Sequence, residues 1–409
     1  MNPWWTLVAV SLGGMMVTLD GTALTIAGPN IAHSVGASVP ELQWIANSYL
    51  LALAAGLFPA GRLADRVGRR RMFVVGVVGF GLASLLIAAA TTVWLLITLR
   101  TLQGMSGALL QPAALALLRA AFPPHRFDLA IGVWGGASAL TIAAGPVIAG
   151  FVVQQFGWRV VFMVNAPVAA LTLVMVWIAV AESRAAGGPG RRRDLIRAPG
   201  VLLGAVLTAL SYFSLFGLLF FLTLYLQDIR GLGPMSAGEW LLPFTAVIVV
   251  SAPIGGALTG RYGPRLPAAV GLLLVAAGML GLLVLDADTT RLQMLPAALV
   301  MGLGTGIAMV AAIHLIVTGA PAGESALASA LQQVATQLGG VAGILTLGLV
   351  MPGTVEPVAF VAGLHTAVIL AAVVVTAGAL LAFLKASASP PDRAAAVEGE
   401  HREEQPAPG

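Results

Sequence analysis

The chain of 409 residues carries 21 Lys and Arg against 17 Asp and Glu, so charged residues make up 9% and hydrophobic ones 58%. A soluble chain needs roughly 25% charged residues to cover its surface, which excludes a water-soluble enzyme and makes lipid the main solvent. The absence of cysteine removes disulfide frameworks, thiol catalysis, iron–sulfur clusters and thiolate zinc sites.

A membrane span takes about 20 apolar residues. Apolar runs between polar breaks predict twelve helices, at about 4–27, 42–60, 72–90, 93–117, 129–153, 159–181, 200–226, 237–259, 266–285, 292–317, 325–350 and 359–384. The first has neither a basic amino-terminal region nor a small-residue cleavage site, so it is expected to be a retained span. Backbone groups in hydrocarbon must be satisfied within their own segment, and these runs are too long for barrel strands. The predicted fold class is therefore an all-α membrane protein.

The loops orient it. Alternate loops and the tail hold 17 basic residues, among them Arg62, Arg66, Arg69, Arg70 and Arg71, while the opposite loops hold only Arg159, Arg230 and Arg291. Basic loops stay in the cytoplasm, so both termini are expected inside the cell's inner (plasma) membrane, with Trp44, Trp94, Trp158 and Trp240 near the outer helix ends. Gly61-Arg-Leu-Ala-Asp65-Arg66-Val-Gly68-Arg69-Arg70 recurs as Gly256-Ala-Leu-Thr-Gly260-Arg261-Tyr-Gly263-Pro-Arg265. With the polar stretch at 183–199, this repeat predicts two pseudo-symmetric six-helix bundles, 1–182 and 200–385, joined by a cytoplasmic linker. Residues 386–409 are polar and are expected to form a disordered tail.

Sixteen of the 17 acidic residues fall in loops, tails or helix ends. Asp20 alone lies well inside a span, and among the basic residues only Arg100 does. A charge at a helix centre costs about 2.5–3.5 kcal/mol on insertion scales, which makes an intramembrane charge a functional candidate. Asp20 lies about 12 Å and Arg100 about 10 Å from the same face by helix rise. A carboxylate there can exchange protons or recognise a cation; a static ion pair holding helix 1 to helix 4 is the other reading. Asn47, Gln103, Gln111, Gln332, Gln333 and Gln337 are candidates to line a cavity or to bond between helices. His314 and His365 have no partner cluster, so no metal site is expected.

The loop from Gly61 to Arg70 suits a gating latch. Asp65 can accept bonds from nearby arginines or from exposed N–H groups at a neighbouring helix start, and Gly61 and Gly68 permit close backbone approach. In helix 5, Thr141-Ile-Ala-Ala-Gly145-Pro146-Val-Ile-Ala149-Gly150 combines a helix breaker with a small-residue face for tight contact across the bundle.

These motifs resemble the major facilitator superfamily and, within it, the fourteen-helix drug:proton antiporter branch, over roughly residues 10–385. The carriers of the resemblance are Leu19-Asp20-Gly21-Thr22 with Pro29-Asn30-Ile31, Leu42-Gln43-Trp44 to Tyr49-Leu50, and Gly61 to Arg70. Arg100-Thr-Leu-Gln103-Gly104, Gly145-Pro146 with Gly150, and Trp158-Arg159 to Asn165-Ala-Pro167 complete the set. The resemblance implies alternating access, with proton influx driving export of hydrophobic, often cationic compounds such as drugs or secondary metabolites. It implies Asp20 as the proton or cation site, Arg100 as its relay, Asp65, Arg66 and Arg70 as gating loop, and Gly145, Pro146 and Gly150 as the helix 5 antiporter motif. Thr141 and Ala149 replace glycines of that motif, Gly260 replaces an acid of the second loop, and the branch's two central extra helices are missing. The expectation is thus a cofactor-free secondary exporter, working as a monomer with a small-molecule substrate, protons and the bilayer as partners and no nucleic acid. A facilitator or importer of the same fold is the alternative, a membrane-embedded enzyme a distant one, and no G-x-x-x-x-G-K-[ST] loop supports an ATP-driven pump.

Overall fold

The structure is a computed structural model that describes residues 3–182, 198–320, 325–352 and 356–387. Most of the predicted linker and nearly all of the tail lie outside the described residues. The described chain is helical throughout, with no strand among its elements. In chain order the helices are α1 (Pro3–Val35), α2 (Val39–Val67), α3 (Arg69–Ala89), α4 (Val93–Ala121), α5 (Pro124–Phe156), α6 (Trp158–Met163) and α7 (Asn165–Ala179). They continue as α8 (Pro199–Leu224), α9 (Pro234–Tyr262), α10 (Arg265–Gly281), α11 (Arg291–Gly319), α12 (Ser325–Gly348) and α13 (Pro357–Ser387).

Helices α6 and α7 are one span in two pieces. The sequence predicts a continuous helix over 159–181, but Pro167 has no N–H to give and its ring crowds the preceding turn, and the chain breaks at Val164. Eleven spans, counting α6 and α7 as one, are long and apolar enough to cross a membrane. Helix α12 is not among them, and it carries Gln332, Gln333 and Gln337. Some helices overrun their predicted ends and others fall short; α2 continues to Val67, so the basic loop after it shrinks to Gly68, whereas α10 ends at Gly281.

Packing repeats between the halves. α4 lies against α2 and α3 as α11 lies against α9 and α10, and α1 packs on α5 as α8 packs on α12. The halves meet along two matching seams, α5 with α9 and α2 with α12, while α1 and α8 touch near the centre. Small residues bring the backbones together where lipid supplies no hydrophobic drive between helices. A Cβ on Gly104 would stand 3.0 Å from that of Ala52, and this close approach of α4 to α2 sets Arg100 over Tyr49. Trp44 and Trp94 are exposed at helix ends, whereas Trp158 is buried, edge-on to Phe162.

Candidate functional site

Asp20 and Arg100, which helix geometry predicts at equal depth, form a buried ion pair through Arg100 Nη1 and Asp20 Oδ2. Their side chains are 1% exposed, so neither charge is solvated by bulk water. Compensation comes from side chains on α2, α3, α4, α6 and α7. Asp20 Oδ1 accepts from Gln103 Nε2 at 2.9 Å and from Asn165 Nδ2 at 3.2 Å. Arg100 Nη1 also donates to Gln103 Oε1 at 2.6 Å. Both amides donate in turn to Ser84 Oγ, at 2.8 and 3.2 Å, and Ser84 passes its own hydrogen to the Phe80 carbonyl at 2.8 Å. The guanidinium carbon lies 4.2 Å from the Tyr49 ring centre and 5.8 Å from that of Phe162. A buried ion pair holds only when its remaining lone pairs and protons are satisfied, and Gln103, Asn165 and Ser84 supply nearly all of that.

The chain break after α6 is what makes this network possible. It places Asn165 at the first turn of α7, at the depth of Asp20. In the sequence Asn165, Tyr49 and Phe162 stand only as members of motifs, and Ser84 carries no signal at all. A polar residue two positions before Pro167 is the one signal that marks Asn165.

Arg100 also lines a constricted cavity between the halves. Its walls include Gly21, Thr25, Tyr49 and Leu50 from the first half and Phe216, Phe220 and Ile344 from the second. Its volume of about 10 Å³ is room for a single water. Thus one face of the ion pair looks into the seam along which the halves would separate. Gln103 joins the charge network, whereas Gln111 on α4 pairs with Gln333 on α12 across the halves at 2.5 Å. Gln332 bonds Thr336 of its own helix, Gln337 is buried in α12, and Asn47 is fully buried with an amide that makes no hydrogen bond among the described residues.

At the end nearer the termini, Asp65 accepts from Arg69 Nη2 at 3.1 Å within its own segment and is half exposed, and Arg66 is exposed. The acid that meets the neighbouring helix start is Glu182, from just after α7: its Oε1 accepts the backbone N–H of Arg70 at 3.0 Å. A carboxylate there matches the positive end of the α3 dipole. Gly68 sits beneath it at φ 129°, where a Cβ would stand 2.7 Å from the Glu182 carboxylate. Gly61 faces Pro112 at ordinary contact distance.

The helix 5 motif touches both halves. Gly145 lies against Thr22, two residues beyond Asp20, and Gly150 lies against the backbone of Pro234 and Met235 at the start of α9. Pro146 presents its carbonyl face to Gly238, and Thr245 Oγ1 of α9 donates to the Ala143 carbonyl at 2.9 Å. Helix α5 therefore bridges the helix of Asp20 and the opposite half. Among the described residues no three His, Asp or Glu side chains gather as a metal site.

Two repeated six-helix halves, a charge pair buried at their seam and a cavity between them define a multi-pass membrane transporter rather than an enzyme. The family model of the Major Facilitator Superfamily matches residues 10–344, and the chain belongs to that family. It is 38% identical to the tetracenomycin C resistance and export protein of Streptomyces glaucescens, over 87% of this chain and 77% of that one. It is 34% identical to the puromycin resistance protein pur8 of Streptomyces alboniger, over 86% and 82% of the two chains. Among solved structures, a bacterial homologue of the human lysosomal transporter Spinster, inward-facing and occupied, superposes with TM-score 0.79 at 18% identity, covering 93% of this chain and 96% of that one.

Proposed function

We propose that the protein exports amphipathic, aromatic or cationic small molecules, such as drugs or secondary metabolites, from the cell in exchange for protons. The carrying observation is the buried Asp20–Arg100 pair whose guanidinium borders the cavity between the halves. A carboxylate held by one cation and two amides can release its proton when the cation is close and rebind one when the cation turns to the cavity. Substrate entering between Tyr49, Phe216 and Phe220 would draw Arg100 toward or away from Asp20, linking the two cargoes. The resistance and export activities named for the relatives from Streptomyces support efflux as the direction.

In this reading both termini face the cytoplasm of the inner membrane, the proton gradient is the only energy source, and no cofactor takes part. The monomer is the working unit, in two bundles at 1–182 and 200–385. Gly61, Asp65, Arg66, Gly68 and Arg70 act as a gating segment, braced by Glu182. Gly145, Pro146 and Gly150 let α5 slide against α1 and α9 during the exchange.

Dye-cation and proton flux in proteoliposomes under an imposed pH gradient tests this, comparing the intact protein with Asp20→Asn. Gradient-driven uptake that the substitution abolishes in a folded protein is the expected result. Uptake that ignores the gradient would overturn antiport in favour of a facilitator, and equal driven flux in both proteins would move the proton site away from Asp20.

A further inference from the structure

At the end of the bundle away from the termini, His33 in the last turn of α1 meets Asp228, with Nε2 to Oδ1 at 3.0 Å. The two residues are 195 positions apart, the offset that relates the Gly61 and Gly256 loop motifs. They are therefore equivalent positions of the two halves, facing each other where the first helix of one half approaches the first helix of the other. α8 changes register there into a π-helical turn, Tyr225–Ile229, which presents Gln227 and Asp228 to α1. Such turns are rare and recur at functional sites. Gln227 Nε2 donates to the Ile26 carbonyl at 2.8 Å, and its Oε1 accepts from Asn30 Nδ2 at 3.1 Å. The His33 side chain is 72% exposed while that of Asp228 is 12% exposed, so the imidazole is open to solvent and its partner is held against the protein.

We infer that His33 and Asp228 form a second proton-responsive site, separate from Asp20, that clasps the two halves at this end when His33 is protonated. It rests on the proposed proton antiport for its place in the cycle, in which this end faces the acidic outside. Histidine is the side chain whose charge ordinarily changes between pH 5 and 8. Protonation turns a neutral hydrogen bond to the Asp228 carboxylate into a charge-assisted one. It also places a cation at the negative end of the α1 dipole. Falling pH therefore strengthens the clasp for as long as Asp228 stays ionised, and rising pH weakens it.

The other charged groups at this end, the Glu239 carboxylate apart, make contacts of their own. Arg159 of α6 donates to Ser34 and lies over Trp158, and Glu41 of α2 accepts from Ser38. Arg230 bonds the Ala287 carbonyl and faces Asp288, while Asp286 accepts from Thr289 and from the Asp288 N–H. Arg291 donates to the backbone carbonyl of Glu239 in α9, Glu356 accepts from N–H groups at the start of α13, and His365 contacts the Leu285 carbonyl. None of these contacts is made with His33 or Asp228.

The absence of native cysteine allows spin labels at Thr91→Cys and Ala287→Cys, exposed loop positions of the first and second half. Pulsed distance measurements at pH 5.5 and pH 8 then read the closed fraction at this end. The expected result is a closed-to-open ratio about 1.5- to 5-fold higher at pH 5.5, the scale of a partly exposed ion pair. This ratio should become independent of pH in His33→Gln and in Asp228→Asn, and keep its pH response in Asp20→Asn. A pH response that survives both clasp substitutions would overturn the proposal, as would one that disappears in Asp20→Asn alone. Loss of driven transport in Asp20→Asn with the clasp response intact would support it and locate coupling separately.

Discussion

Gln333 of α12 donates to Gln111 of α4 at 2.5 Å, joining the two halves in the portion of the bundle nearer the termini. At the far end His33 with Asp228 and Asn30 with Gln227 join them again. The cavity between is left with room for about one water. The conformation is thus constricted at both ends, and the amide pair is the specific closure on the terminal side.

Gln111→Ala and Gln333→Ala are each expected to loosen that closure. A neutral hydrogen bond contributes about 0.5–1.5 kcal/mol, which corresponds to a roughly 2- to 12-fold change in the open fraction. The measurement is the labelling rate of Thr25→Cys, a cavity position, by an impermeant thiol reagent added from the terminal side. Because one bond is shared, the double variant should label no faster than either single one. Rates that multiply would show that the two amides act independently.

Arg100 and Asp20 should behave as a unit in stability. Removing one partner of a buried pair leaves an uncompensated charge at a cost of about 3–5 kcal/mol, whereas removing both is far milder. Arg100→Gln is expected to lower thermal stability in detergent sharply. Adding Asp20→Asn to it should recover most of that loss. Lysine at 100 is not a conservative replacement either, because Nη1 bonds both Asp20 and Gln103 while the flat guanidinium lies over Tyr49, and a compact ammonium has no plane to stack there. Additive losses in the unfolding midpoints would argue against the pairing.

Asn165→Ala removes one of the two amide donors on Asp20 Oδ1 and one of those on Ser84. Hydrogen bonds to charged groups contribute about 1.5–3 kcal/mol, so proton-driven flux should fall about tenfold or more. Substrate exchange in the absence of a gradient should fall much less, since Asn165 touches the carboxylate and not the cavity. An equal fall in both fluxes would assign Asn165 to general packing.

Eleven of the twelve predicted spans and the Asp20–Arg100 pair were legible because a membrane chain is so poor in charge. With 9% charged residues, two opposite charges at one depth stand out, and helix rise alone brings them level. Ser84 and Asn165 did not stand out: they are uncharged, their types are common in packed helices, and the direction of Asn165 depends on a break imposed by Pro167. Glu182 reads as an ordinary loop acid until the fold carries it 112 positions back to the start of α3. Gln111 and Gln333 were visible as polar residues in spans, but their partnership across 222 positions is a property of how α4 and α12 meet across the halves and not of either segment. Periodicity and charge report depth in the bilayer, whereas rotation about each helix axis is set by neighbours.

Gly150 offers the sharpest test of how the halves move. A Cβ built there would stand 2.5 Å from the Pro234 carbonyl oxygen and 2.8 Å from the Met235 Cα, both rigid backbone at the start of α9. No side-chain rotation can relieve that overlap, so any larger residue must push α5 and α9 apart at the end away from the termini. Within their own halves α5 packs on α1 and α9 packs on α11, so folding should survive. Gly150→Val is therefore expected to hold this end open, raising the label distance between Thr91→Cys and Ala287→Cys and abolishing net transport. Gly132→Ala, on the same helix with nothing within 4 Å, should leave both unchanged. Wild-type transport and distance in Gly150→Val would mean that α5 and α9 need not close at this point during the cycle.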